Sequence, residues 1–138
     1  AFGLIGNEAN TIAPEKRPLS SMTPTIVMKD NKPFLVVGSP GGSTIITTTM
    51  QTILNVINFE MDIKEAVCAP RFHSQWLPDV IQIEPRGLSE DVLSNIRLRG
   101  HEIIYRSGYI GESNGIMITN EGLFGGGDCR GETSAIGY

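Results

Sequence analysis

A glycine-rich turn, Gly38-Ser39-Pro40-Gly41-Gly42-Ser43, separates a run of strand-forming residues from a helical pattern. Glycines at such a place let the backbone turn sharply and approach a ligand with no side chain in between. The helix that follows presents unpaired N–H groups and the positive end of its dipole. An anion or a developing oxyanion can be held there. The spacing is not that of a phosphate loop, because Gly-x-x-x-x-Gly-Lys is absent, nor of a dinucleotide fingerprint, because Gly-x-Gly-x-x-Gly does not occur. Taken alone, the glycines read more simply as a turn that redirects the chain.

A second segment of chemical interest is Pro18-Leu19-Ser20-Ser21-Met22-Thr23-Pro24. Its adjacent hydroxyls lie between prolines and can donate to a carboxylate. By composition alone, hydroxyls bonded to nearby backbone are the simpler reading. The histidines His73 and His101 are not at metal-ligand spacing and no Cys-x-x-Cys occurs, so neither a metal site nor a cofactor is implied. Cys68 and Cys129 could form one disulfide or remain thiols. Free thiols are favoured, because a chain of this length can bury a core without staples.

Thr25–Lys29 and Phe34–Val37 read as a hairpin around Asp30-Asn31-Lys32. The continuous apolar run of the second strand predicts cover on both faces. Ser43 to Phe59 has helical spacing, with Ile45, Ile46, Met50, Ile53, Leu54 and Ile57 on one face and Thr44, Thr47, Thr48, Gln51, Thr52, Asn55 and Asn58 mainly on the other. Threonine and isoleucine are weak helix formers, so this helix must rely on packing its apolar face. A short helix is expected after Asp62, with Glu65 completing a capping arrangement and Pro70 limiting it. Val80–Glu84 alternates as a strand. A third helix is expected from Ser89 to Gly100, followed by short strands at Glu102–Tyr105, Gly115–Thr119 and Gly122–Phe124. Residues 1–24 read as irregular. Strands, helices, then strands again suggest a layered α+β arrangement.

The 138 residues fit one domain or part of a larger one, and the 40% hydrophobic content suffices for a core. With net charge −4 and eleven scattered basic residues, no basic stripe marks a nucleic-acid partner. No apolar run approaches the ~20 residues of a membrane span. The first residue is Ala1, with no signal peptide at the start. This reads as a cleavage boundary or a start set within a longer chain.

Three segments together carry a resemblance: Lys16-Arg17-Pro18-Leu19-Ser20-Ser21-Met22-Thr23-Pro24-Thr25-Ile26-Val27, Gly38-Ser39-Pro40-Gly41-Gly42, and Ala69-Pro70-Arg71-Phe72-His73-Ser74-Gln75-Trp76-Leu77-Pro78. In order and spacing they resemble the small subunit of the gamma-glutamyltranspeptidases, and Gly137-Tyr138 matches a common end of that subunit. The resemblance covers nearly the whole chain. It implies that residues 1–138 are the C-terminal portion of that subunit, a fragment of the four-layer αββα sandwich of the N-terminal-nucleophile hydrolases. It further implies a precursor that cleaves itself to expose a threonine nucleophile, whose own amine serves as base. That threonine would take the gamma-glutamyl group from an amide such as glutathione and pass it to water, an amino acid or a peptide. Gly41 and Gly42 would supply oxyanion N–H groups, and Ser20 and Ser21 would bind the alpha-carboxylate. The large subunit and the preceding part of the small subunit are the implied partners, and a periplasmic or extracellular location is implied with them.

Departures accompany the resemblance. Ala1 is not threonine, so the nucleophile and the residues gripping the alpha-amine are expected to lie outside this sequence. The 138 residues alone are therefore expected to be inactive and to self-associate. Asp128-Cys129-Arg130 stands where the family often has Asp-Pro-Arg, and Thr44 where arginine is common. A related acylase of the same superfamily and a noncatalytic fragment are the alternative readings. His73 is expected to make a structural hydrogen bond and Trp76 to pack with its N–H bonded. His101 is expected to be exposed, and Asp128 and Arg130 to form a local ion pair.

Overall fold

The computed structural model describes residues 6–18 and 20–137. Ala1, Leu19 and Tyr138, which entered the sequence reading, lie outside the described residues. Among the described residues, seven strands form two sheets and three α-helices accompany them. The first sheet has the order β1-β2-β6-β7 and is antiparallel throughout, with β1 at Thr25–Lys29, β2 at Lys32–Gly38, β6 at Asn114–Thr119 and β7 at Gly122–Gly126. The second has the order β3-β4-β5, with β3 at Phe72–Ser74, β4 at Ile81–Ile83 and β5 at Ile103–Tyr105. Its β4–β5 pair is parallel, with helix α3 at Glu90–Leu98 between them in the chain.

The β1–β2 turn needs only Asp30 and Asn31, which sit at φ 50° and 59°. Positive φ at both central residues gives a two-residue turn whose twist matches the strands. Helix α1 spans Ile45–Asn58 after a 3₁₀ turn at Gly42–Thr44, and α2 spans Ile63–Cys68. The expected capping box opens α2: Asp62 Oδ1 accepts Glu65 N–H at 2.8 Å, and Glu65 Oε2 accepts Asp62 N–H at 3.2 Å. The core lies where α1 and α2 cover one face of the first sheet, with Leu35, Val37, Val56, Ile63, Ala66 and Val67 buried together.

The face of α1 turned to this core corrects the periodicity reading. Thr44, Thr48, Thr49, Gln51 and Thr52 are buried with Ile45 and Val56, while Ile46 is 71% exposed and Met50, Leu54 and Ile57 are exposed too. Thr44 and Thr52 tolerate burial here because their hydroxyls are satisfied by nearby backbone carbonyls. Thr52 Oγ1 donates to Thr48 O at 3.0 Å, and Gln51 Nε2 reaches Thr47 O and Phe72 O at 2.9 and 2.7 Å. Strand β2 likewise has one covered face, not two: Leu35 and Val37 are buried, and Val36 is exposed in a row with Ile26 and Ile116.

Cys68 and Cys129 form a disulfide, with Cα atoms 5.3 Å apart, so the free-thiol reading is wrong. Chain length does not decide such pairing. Cys68 ends α2, and the loop at 128–130 folds back onto that end. Closing 61 residues of chain, the bond restrains the unfolded state by about 4 kcal/mol in a chain-entropy estimate. β3 was not expected; three residues flanked by Pro70 and Pro78 carry too little alternation to announce a strand. Trp76 is also corrected. It lies in the β3–β4 connection, 77% exposed, not packed.

Candidate functional site

The glycine turn sits between the end of β2 and the 3₁₀ turn leading into α1, as its sequence implied. Gly41 adopts φ 141°, ψ 14° and Gly42 φ 61°, conformations that side chains disfavour. A Cβ at Gly41 would lie 2.6 Å from Thr44 Oγ1 and 3.1 Å from Gly111 Cα. Gly41 is exposed and Gly42 half-buried. Among the described residues neither N–H has a protein acceptor.

The Ser20–Ser21 segment lies beside this turn. Ser39 N–H donates to Met22 O at 2.9 Å, and a Cβ at Gly38 would sit 3.1 Å from the same oxygen. Both serines are exposed. Ser20 Oγ accepts Met22 N–H at 3.3 Å, the local turn bond that composition suggested, and this leaves the hydroxyl proton free to donate. The structure thus brings together the two segments that the sequence reading singled out.

Behind the turn lies a buried ionic cluster. The expected ion pair of Asp128 with Arg130 is present, and Asp128 is 1% exposed, so the pair is buried. Its Oδ2 meets Arg71 Nη2 at 2.6 Å and its Oδ1 meets Arg130 Nη1 at 2.9 Å. Arg130 grips Glu84 with two nitrogens, Nε to Oε1 at 2.8 Å and Nη2 to Oε2 at 2.5 Å. Remaining donors go to backbone carbonyls: Arg71 to Val67 O and Ile110 O, Arg130 to Val67 O and Ala69 O. The carboxylates in turn accept backbone N–H groups, Ile110 to Glu84 at 2.8 Å and Ser113 to Asp128 at 2.6 Å.

Burial pushes the Glu84 carboxyl up, but the Arg130 bond and the N–H groups of Ile110 and Arg71 outweigh it and hold it below its ordinary value. Asp128 is lowered in the same way, against burial, by Arg71, Arg130 and Ser113 N–H. Burial pulls Arg71 below its ordinary value and Asp128 offsets this only in part. Arg130 is raised despite burial, by Glu84 and Asp128. Both guanidiniums stay charged.

This cluster pins both ends of the segment Ile110–Ser113, whose middle touches the glycine turn: Glu112 N–H donates to Ser39 Oγ at 3.1 Å. Sequence reasoning missed Ser39, Glu84 and Ser113 as partners, because each contact joins residues distant in the chain. His73 is buried and bonded at both ring nitrogens, to Thr47 Oγ1 and Gln75 Oε1 at 2.8 Å each, a structural role as expected. His101 is exposed, also as expected.

The mixed helices and sheets are those of the N-terminal-nucleophile hydrolase fold, on the strength of the solved structures on which the chain superposes. The chain superposes on a point mutant of Helicobacter pylori gamma-glutamyltranspeptidase with TM-score 0.84 and 51% identity, covering 94% of this chain and 72% of that one. The family model for gamma-glutamyltranspeptidase matches residues 1–138, and the chain belongs to that family. It is 47% identical over 130 residues to a glutathione hydrolase proenzyme of Escherichia coli, and 44% identical over 138 residues to that of Bacillus subtilis strain 168. These alignments cover 94% and 99% of this chain but 22% and 23% of the relatives, so the chain spans less than a quarter of their length.

Proposed function

We propose that residues 1–138 form the C-terminal portion of the small subunit of an enzyme that hydrolyses gamma-glutamyl amides such as glutathione and transfers the gamma-glutamyl group. The observation that carries this reading is the bond from Ser39 N–H to Met22 O at 2.9 Å. It seats a pair of exposed hydroxyls beside a turn whose two N–H groups have no acceptor among the described residues. In the proposed reaction a threonine Oγ, from a part of the protein outside these residues, attacks the gamma-carbonyl carbon. The carbonyl oxygen becomes an oxyanion, which Gly41 and Gly42 N–H groups receive. The C–N bond breaks and the amine leaves with a proton, giving an acyl-threonine. Water or an acceptor amine then releases the glutamyl group. Ser20 and Ser21 hydroxyls donate to the substrate alpha-carboxylate. The large subunit and the rest of the small subunit are the partners. The Cys68–Cys129 disulfide suits a periplasmic or extracellular location.

The test uses the complete two-subunit enzyme and a gamma-glutamyl anilide. Gly42→Val forces a branched residue onto φ 61°. Loss of one oxyanion donor costs on the order of 100-fold in kcat. That loss is expected in a protein that still matures. Ser20→Ala and Ser21→Ala should mainly raise KM, because the carboxylate is charged in ground and transition states alike. Near-normal kcat for Gly42→Val would sink the reading.

A further inference from the structure

Two buried hydroxyls flank the glycine turn, and each holds the carbonyl oxygen of the peptide unit whose N–H is a proposed oxyanion donor. Ser39, 0% exposed, donates to Pro40 O at 2.6 Å. Thr44, 2% exposed, donates from Oγ1 to Gly41 O at 2.9 Å. Pro40 C=O and Gly41 N–H belong to one peptide unit, and Gly41 C=O and Gly42 N–H to the next. A trans peptide is planar, with its C=O and N–H pointing in opposite directions. Fixing the oxygen therefore fixes the direction of the N–H. Backbone sterics do not do this here, because a glycine can rotate its flanking peptides without a Cβ penalty.

The Ser39 hydroxyl is itself oriented. It accepts Glu112 N–H at 3.1 Å, which leaves its single proton for Pro40 O. The Ile110–Ser113 segment that supplies this N–H is held by Glu84, Arg71 and Asp128. It also fits closely. A Cβ at Gly111 would lie 2.4 Å from Thr48 Oγ1 and 2.9 Å from Ser39 Oγ. The two clamps are unequal, because Gly41 O also accepts Thr44 N–H at 3.2 Å and keeps that bond when the hydroxyl is gone.

We propose that Ser39 and Thr44 are positioning residues that set the directions of the Gly41 and Gly42 N–H groups, Ser39 being the more important. This rests on the oxyanion reading given above. The experiment measures kcat and KM of the complete enzyme with a gamma-glutamyl anilide, together with maturation into two subunits. Ser39→Ala should lower kcat at least about 10-fold, a fraction of what removing a donor costs, with KM changed less than about twofold. Thr44→Val should show the same split with a smaller loss. Ser39→Cys restores volume but only a weak donor, so it should stay close to Ser39→Ala. Recovery of wild-type kcat by Ser39→Cys would show that Ser39 only packs, and overturn the proposal. So would a rise in KM at unchanged kcat, or failure of all three variants to mature. Gly42→Val separates the two ideas. If it abolishes turnover while Ser39→Ala leaves kcat unchanged, the positioning assignment is wrong and the oxyanion reading stands. If Gly42→Val keeps its kcat, both fall.

Discussion

The Arg71 guanidinium and the Asp128 carboxylate meet at 2.6 Å with neither side chain more than 1% exposed. A buried pair of this kind stabilises little relative to an apolar core, but removing one partner strands the other charge out of water. Asp128 also accepts Ser113 N–H and a second guanidinium, from Arg130. Asp128→Ala should therefore cost about 3–5 kcal/mol, read as a lowered denaturation midpoint of the assembled protein. A change below about 1 kcal/mol would show that the cluster is not holding the fold.

The same cluster sets an acid limit. Glu84 and Asp128 have folded-state values below their ordinary ones, so the unfolded chain binds protons more readily. Their contribution to stability is complete above the ordinary carboxylate range, near pH ~4. It is lost as pH falls below that range and through the lowered folded values. Thermal melting should thus be nearly flat from neutrality to about pH 5 and fall steeply below pH ~4. In Glu84→Gln the acid slope should be shallower; an unchanged slope would remove Glu84 from this role.

What could be read from the sequence divides by range. The hairpin at Asp30-Asn31, the Asp62/Glu65 capping box and the Ser89–Gly100 helix are local, and each rests on residues a few positions apart. The glycine turn and the serine pair were legible as segments; their adjacency through Met22 and Ser39 was not. The ionic cluster joins Arg71, Glu84, Asp128 and Arg130 from three stretches of chain, and no periodicity encodes such a meeting. The orientation of α1 was misread for another reason. Hydropathy assigns the apolar face to the core, but threonines that bond their own helix can take that place.

Two neighbouring threonines of α1 should respond in opposite ways to valine, which has nearly the same shape. Thr52 Oγ1 donates to Thr48 O at 3.0 Å and lies 3.2 Å from Ser113 Oγ. Thr52→Val leaves Ser113 poorly satisfied and should cost about 1 kcal/mol. Thr49 is 2% exposed and its Oγ1 has no partner among the described residues. Thr49→Val removes an unsatisfied buried hydroxyl and should stabilise by about 0.5–1 kcal/mol. Denaturant melts of the two variants side by side give the comparison. Destabilisation by Thr49→Val would mean that its hydroxyl is bonded after all.

The 138 residues prepared alone leave two apolar surfaces open. One is the α1 stripe, with Ile46 at 71%, Met50 at 45%, Leu54 at 41% and Ile57 at 49% exposed. The other is the row across the sheet formed by Ile26, Val36 and Ile116, at 61%, 37% and 43%. They lie on different elements, so one partner copy cannot cover both through a single small contact. Patches of this kind on a chain without partners drive association, and among the described residues β1 is an edge strand of its sheet. The isolated chain should therefore self-associate at micromolar concentration, measured by sedimentation velocity. Charges on the helix stripe, Ile46→Lys with Leu54→Glu, should reduce association without lowering the melting temperature, because neither side chain belongs to the buried core. A monomeric, sharply melting wild-type chain would show that both surfaces are tolerated in water. Association unchanged by the helix charges, but abolished by Ile26→Lys, would assign it to the sheet face instead.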